Sequence, residues 1–297
     1  MRKNKSLLVG GSIITFLLIL AIIGPLLPFV KEGMEPEAFR LVENGITLVP
    51  PYSPSSEFLI GSDGNGVDLL SRAIIGTRET LIIVLGITLL RFLLAIPLGI
   101  LGSFFKTANF ILQSWKQLLS FVPTIFMIVF FANAPYLVFA ENRFIWMVLL
   151  IAIIDVGRIS DIIRTQAVFV SKTQFVEAGI TVGTRPFRLF RKYYWPQLLP
   201  HVIVNAVNDI GRNMFIIGQL GVINIFISLK IQSTEDDTYQ ILNTSNAWPQ
   251  FFENVSSTIR IYPWIPLTAC LFICITTIGF YIFGEGLRKY FITLRRA

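Results

Sequence analysis

Four polar side chains, Asn205, Asn208, Asp209 and Arg212, recur at i, i+3, i+4 and i+7 inside an otherwise apolar segment. On a helix that spacing places all four on one face. A second set, Asp155, Arg158, Asp161 and Arg164, repeats every third residue in another apolar segment. Opposite charges at that spacing neutralise one another along a helical stripe, so this set reads as structural. The first set carries two readings. A charge inside a membrane is costly and faces either a polar cavity or a partner helix. The four residues therefore line a translocation path, or an Asp209–Arg212 pair holds helices together.

Elsewhere the residue types needed for catalysis are missing. His201 is the single histidine. Cys270 and Cys274 stand one helical turn apart in apolar sequence and read as small packing residues, because no CxxC or Cys/His metal spacing accompanies them. No metal site is expected. There is no G-x-x-x-x-G-K-[ST] stretch, so the chain does not cradle ATP in a P-loop. No Ser/His/Asp or paired-carboxylate arrangement stands out, and the chain is not expected to be an enzyme by itself.

The elements that must hold these residues follow from composition. Of 297 residues, 54% are hydrophobic and 14% charged, with 26 Phe and a mean hydropathy of +0.67. Those values describe an all-α polytopic membrane protein rather than a soluble domain. A net charge of +7 would suit nucleic acid in a soluble protein. In a membrane protein the placement of the charge decides, and no nucleic-acid partner is expected.

Six apolar segments can span. The first, residues 7–30, follows Arg2, Lys3 and Lys5 and carries Pro25 and Pro28 near its far end. It is too long for a signal-peptide core and has the length of a membrane helix. Residues 31–78 are polar, acidic and proline-rich. The second span, 80–105, contains Arg91 and a small-residue series, Ala95, Gly99 and Ser103, suited to close helix packing. A third, 118–131, is short and is expected to reach back through Trp115. The fourth runs 146–166. The fifth runs 200–226, which puts Asp209 about 14 Å into the bilayer at ~1.5 Å per residue. A second external loop, 229–262, holds Glu235, Asp236 and Asp237, and the last span covers 265–283.

Lys and Arg concentrate in the terminal segments and in the loops after the second and fourth spans, while most acids lie in the other loops. That bias places both termini in the cytoplasm. Trp115, Trp146, Trp195, Trp264 and Tyr290 fall at the expected membrane edges. The organisation read from this pattern is a first helix at 1–30, an extracytoplasmic segment at 31–78 and a membrane core at 79–297.

Residues 173–200 form the most basic loop, with Arg185, Arg188, Arg191 and Lys192 following Glu177. Thr173 can cap a short helix over 175–182, and Gly183 can end it in a left-handed turn. Thr184 can cap a second helix with Pro186 in its first turn. The expectation is a helix–turn–helix at the cytoplasmic surface, presenting Glu177 and small residues outward.

In this loop Glu177-Ala178-Gly179, then Gly183, then Tyr193-Tyr194-Trp195-Pro196 and Pro200 resemble the EAA loop of ABC-importer permeases. Gly179 stands for the family's second alanine, and aromatic residues replace the aliphatic pair before the proline. A second stretch, Gly61, Asp63, Gly66, Asp68, Leu70, Ser71, Arg72, Gly76 and Arg78, resembles the signature preceding the second helix in the dipeptide, oligopeptide and nickel branch. Val67 replaces an arginine of that pattern. The segment at 229–262 departs from the family, apart from Trp248 and Tyr262-Pro263-Trp264.

The resemblance implies a type I ABC importer membrane fold of six helices in a bacterial cytoplasmic membrane. It implies that Glu177, Ala178, Gly179, Gly183, Arg185, Arg188 and Pro196 belong to a coupling helix docking on an ATPase subunit. It also implies a second homologous permease subunit, two ATPase subunits that bind ATP and Mg, and an extracellular substrate-binding protein. Short peptides are the expected cargo, with nickel or metal chelates and glutathione-like molecules as alternatives. A rival from another class is an ion-coupled secondary transporter using Asp209. A third is a membrane scaffold that keeps a permease fold without transport.

Overall fold

The computed structural model describes residues 4–30, 36–37, 39–41, 47–233, 239–243 and 245–296. The charges Arg2, Lys3 and Lys31 and the acids Glu235, Asp236 and Asp237 lie outside the described residues. The described chain is almost wholly helical, with two small hairpins.

Helix α1, Lys5–Ile23, opens on Asn4, whose side chain accepts from the Leu7 amide at 3.3 Å and donates to the Gly286 carbonyl at 2.6 Å. It lies antiparallel to the last helix, α12, Trp264–Arg296. Gly10 sits against Phe283, Ile13 against Gly279 and Leu7 against Gly286, so the two helix backbones nearly touch. In lipid, apolar side chains gain nothing by leaving their solvent, and such small-residue contacts carry helix association instead. The contacts also place both chain ends at the same end of the bundle.

Between α1 and α2 lie two antiparallel two-residue strands, β1 (Arg40–Leu41) and β2 (Thr47–Leu48), and a turn leading to α2, Leu69–Phe104. Helix α2 has 36 residues, about 54 Å of helix, well beyond the ~30 Å hydrocarbon thickness. It starts eleven residues before the expected second span, and the boundary drawn at 78/79 falls inside it. Ala95 and Gly99 of the small-residue series do what their spacing predicts. Ala95 is buried, and Gly99 lies under the Ser160 carbonyl and Ile163 of a later helix.

The expected third span is not one straight helix. Amphipathic α3, Lys106–Ser120, and apolar α4, Thr124–Ala132, meet at 86°. Pro123 stands at the corner and lacks the N–H that would continue the ladder. The expected fourth span is also two pieces, α6 (Arg143–Ile154) and α7 (Val156–Ser171), after the single turn α5, Pro135–Val138. Asp155 occupies the break, so its stripe with Arg158, Asp161 and Arg164 does not lie on one continuous helix.

Beyond α7 come α8 (Gln174–Thr181), α9 (Pro186–Leu189), a π-helical turn at Phe190–Tyr194 and α10, Trp195–Val222. The fifth span therefore begins five residues before Pro200. The segment expected as the second external loop contains a hairpin, β3 (Leu229–Ser233) with β4 (Tyr239–Asn243), a 3-10 turn at Trp248–Phe252 and α11, Val255–Ile261. That hairpin was not anticipated in an all-α reading.

Among the described residues three helices, Lys5–Leu26, Leu69–Phe104 and Trp264–Leu294, are long and apolar enough to cross a membrane, and the bent pair α3–α4 makes a fourth if counted as one span. The core gathers Val84, Ile87, Met147, Ile151, Met214 and Trp248 between α2, α6, α10 and the 3-10 turn. Leu89, Leu93, Phe126, Phe130 and Leu267 face outward instead, as befits a protein embedded in lipid. Cys270 and Cys274 share that outward surface, with sulfurs 3.9 Å apart. They are not the packing residues their setting suggested.

Candidate functional site

The centre of the bundle is built around Arg91, the single charged residue in the apolar two-thirds of α2. Its side chain has no exposure, and it makes four hydrogen bonds. Nη1 donates to Asp209 Oδ2 at 2.7 Å and to Asn213 Oδ1 at 2.8 Å. Nη2 donates to the Ile151 carbonyl at 2.7 Å and Nε to the Ala152 carbonyl at 3.3 Å. Those two carbonyls belong to the last turn of α6. The break at Asp155 removes their helical partners, and the guanidinium replaces them.

Around this centre the charges interlock. Asp209, 2% exposed, also accepts from Arg158 Nη2 at 2.8 Å and from Asn213 Nδ2 at 3.1 Å. Asn213 Nδ2 donates in turn to Thr88 Oγ1 at 2.8 Å. Asp155 Oδ2 accepts from Arg158 Nε at 3.0 Å and from Arg212 Nε at 3.1 Å. Three guanidiniums thus face two carboxylates across α2, α7 and α10. The expected Asp209–Arg212 pair is not formed. Asp209 pairs with Arg91 and Arg158, while Arg212 reaches Asp155.

The four-residue stripe divides. Asp209 and Arg212 enter this network. Asn205 donates to the His201 carbonyl at 2.8 Å, and Asn208 packs against Gly284 of α12. Asn205, Asn208 and His201 line a groove of about 370 Å³ with Arg288. On α7, Arg164 pairs with Asp161 at 3.0 Å as its spacing predicts, and Asp161 also receives Lys116 Nζ at 2.6 Å and Gln113 Nε2 at 2.7 Å from α3.

At the end of the bundle, α8 ends in the left-handed turn expected of Gly183, with φ +74°. The Gly183 amide bonds the Ile180 carbonyl and the Thr184 amide bonds the Gly179 carbonyl, closing the helix end. Arg185, not Thr184, holds the N-cap position of α9, because its carbonyl accepts from Leu189. Glu177 and Ala178 are exposed as expected, along with Arg188 and Pro196. Gly179 points the other way. It is buried, and a side chain there would meet Leu189 at 2.9 Å and the Tyr193 ring at 3.3 Å. Val176, Tyr194, Leu198, Ala167 and Val170 seal the base of the loop, and burial pushes the Tyr194 phenol up from its ordinary value.

The outward face is not merely small. Val182 is 84% and Phe187 76% exposed, with Ile180 and Phe175 beside them. An apolar knob fringed by Arg185, Arg188, Arg191 and Lys192 projects from the bundle.

The external signature is a folding device. Asp63 accepts from the amides of Asn65 and Val67, both at 2.9 Å, and from Arg72 Nη1 at 2.5 Å. Arg72 in turn stacks 5.1 Å from the Phe251 ring. Asp68 caps α2, its Oδ2 accepting from Ser71 N at 2.8 Å and Ser71 Oγ at 2.5 Å. Gly61 and Gly66 take φ +89° and +81°, where a side chain would strike Trp264 or Glu37. Trp248 Nε1 donates to the Ala73 carbonyl at 2.8 Å and Trp264 Nε1 to the Ser62 carbonyl at 3.2 Å. The signature thus joins the start of α2 to the second external loop.

No protein-family model matches the chain. The oligopeptide transport system permease protein OppC of Haemophilus influenzae is 23% identical over 96% of this chain and 84% of its own length. The OppC protein of Bacillus subtilis is 22% identical over 97% of this chain and 85% of its own. The probable D,D-dipeptide transport system permease protein DdpC of Escherichia coli is 26% identical over 97% of this chain and 88% of its own. The chain is a relative of peptide-transport permeases. A glutathione transport system permease of Pectobacterium atrosepticum also matches, at 20% over 79% of the chain.

In this permease relative, sequence reasoning located the basic loop, the signature and Asp209, but it assigned no role to Arg91 or Arg143. Arg143, 4% exposed, donates to the carbonyls of Leu137 at 3.1 Å, Phe226 at 3.3 Å and Ala132 at 3.4 Å. It gathers the ends of three elements at one end of the bundle. The available signal for both was a lone arginine in or beside an apolar run, which must find acceptors inside the protein.

Proposed function

We propose that this chain is a permease subunit of an ATP-driven importer, forming half of the path by which short peptides cross a bacterial cytoplasmic membrane. The apolar, basic-fringed knob at Val182 and Phe187, in the loop that resembles the EAA motif, carries this reading. Exposed apolar side chains of that size at a polar surface need a partner. In this proposal the partner is the groove of an ATPase subunit that binds ATP and Mg. Two such subunits, a second homologous permease and an extracellular binding protein complete the assembly. Six spans with both termini cytoplasmic belong to the same reading, supported by the distribution of Lys and Arg in the sequence.

Peptides are favoured as cargo because relatives named for oligopeptide and dipeptide transport match nearly the whole chain. The four-residue stripe enters in modified form. Arg212, with Arg158, borders the path, and Asp209 holds the helices that frame it. An ion-coupled transporter is disfavoured because both Asp209 oxygens are already engaged, Oδ2 by Arg91 and Oδ1 by Arg158.

Co-purification from the native membrane tests the assembly, with stoichiometric ATPase subunits expected and their hydrolysis stimulated by loaded binding protein. Val182→Asp with Phe187→Asp is expected to abolish that association while the membrane bundle stays folded. Isolation of the chain without any ATPase, or association unaffected by the double change, would overturn the reading.

A further inference from the structure

A cavity of about 260 Å³ opens between the C-terminal turn of α3, the corner at Pro123, the break at Asp155 and α10. Trp115, Lys116, Asp155, Arg158 and Arg212 are among its lining residues. Lys116 is matched by Asp161, which lies outside the lining. Among the described residues Asp155 is the single acid in the wall and is shared by Arg158 and Arg212, with Arg91 Nη1 3.8 Å from its Oδ2. The guanidiniums of the network outnumber its carboxylates by three to two, so the wall carries an uncompensated positive charge.

The excess has an address. Arg212 contacts Asp155 through Nε alone, and its Nη1 and Nη2 hold no hydrogen bond to any described residue. Its side chain is 37% exposed, and that of Arg158 is 35%. Two terminal nitrogens of one guanidinium form a planar fork that fits a carboxylate bidentately. We propose that Arg212, backed by Arg158, is a transient binding site for the C-terminal carboxylate of the transported peptide. The proposal rests on the peptide-permease reading and adds which end of the cargo this subunit grips. The cavity is smaller than the roughly 300–1,000 Å³ that enclose a whole small ligand, so it suits one terminus.

The test uses the complete transporter in proteoliposomes, with binding protein saturated by trialanine or by trialanine amide. The wild-type complex is expected to carry the free acid faster than the amide by roughly tenfold, the scale of one lost charge-assisted hydrogen-bonded contact. Arg212→Gln should slow the acid and bring the two rates together, and Arg212→Lys should restore part of the difference. Acid-to-amide ratios that are the same in wild type and Arg212→Gln overturn the proposal. Should Arg212→Gln not assemble, the wild-type comparison still decides, because equal rates for acid and amide overturn it too. A wild-type complex that assembles yet carries neither peptide removes the peptide reading itself, and the carboxylate site with it.

Discussion

Arg91 Nη1 and Asp209 Oδ2 stand 2.7 Å apart although 118 residues separate them in the chain. This pair joins α2 to α10 with no exposure on the arginine side and 1% on the aspartate side. Three further arginine hydrogen bonds go to Asn213 and to two carbonyls at the end of α6. The break in the fourth span and the pair are therefore one structure. The helix can stop at Asp155 because Arg91 is there to receive its carbonyls.

Removing one member should cost more than removing both. Arg91→Met leaves Asp209 with fewer partners and two carbonyls bare, a loss of about 3–5 kcal/mol by analogy with other broken buried pairs. Combining it with Asp209→Leu should recover part of that loss. Thermal unfolding of the detergent-purified complex reads both, and additive losses in the double variant would contradict the coupling.

Arg143 offers a second test in which no acid is involved. Arg143→Leu strips a donor from the carbonyls of Leu137, Phe226 and Ala132, and each carbonyl left dry costs about 1–3 kcal/mol. The C-terminal end of α4, the start of α6 and the loop after α10 should loosen together. Faster hydrogen exchange in all three segments is expected, with α8 and α9 unaffected.

The two loop glycines should respond differently. Gly183 has open space around it, so Gly183→Ala costs only the left-handed backbone, about 1–2 kcal/mol. Gly179→Leu instead collides with Leu189 and Tyr193 and should lift α8 from its seat. The expected result is near-normal uptake for the alanine variant and loss of ATPase-coupled uptake for the leucine variant with the complex still assembled.

At the start of α2, Trp248→Phe keeps a tilted ring 5.1 Å from Phe272 but leaves the Ala73 carbonyl without its donor. Limited proteolysis of the second external loop should accelerate by an amount corresponding to about 1–3 kcal/mol. Gly76→Ala should act on the same loop, because a methyl there would collide with the Asn246 carbonyl.

Several features were legible from residues alone, because each depends on a few neighbouring positions. Hydrophobic length announced membrane helices. Glycine at 183 announced a left-handed stop. Ala95 and Gly99, spaced by four, announced a close helix contact, and Arg164 found Asp161 at three. The long-range arrangement was not legible in this way. Nothing in the spacing of Asp209 and Arg212 says that each takes a partner from another helix, or that Gly179 faces inward while Val182 and Phe187 face out. In lipid the apolar surface of one helix resembles that of any other, so hydropathy marks what is embedded without saying which faces meet. Those meetings were settled by where small residues let backbones approach and where buried guanidiniums found acceptors, and both conditions exist only once the helices have docked.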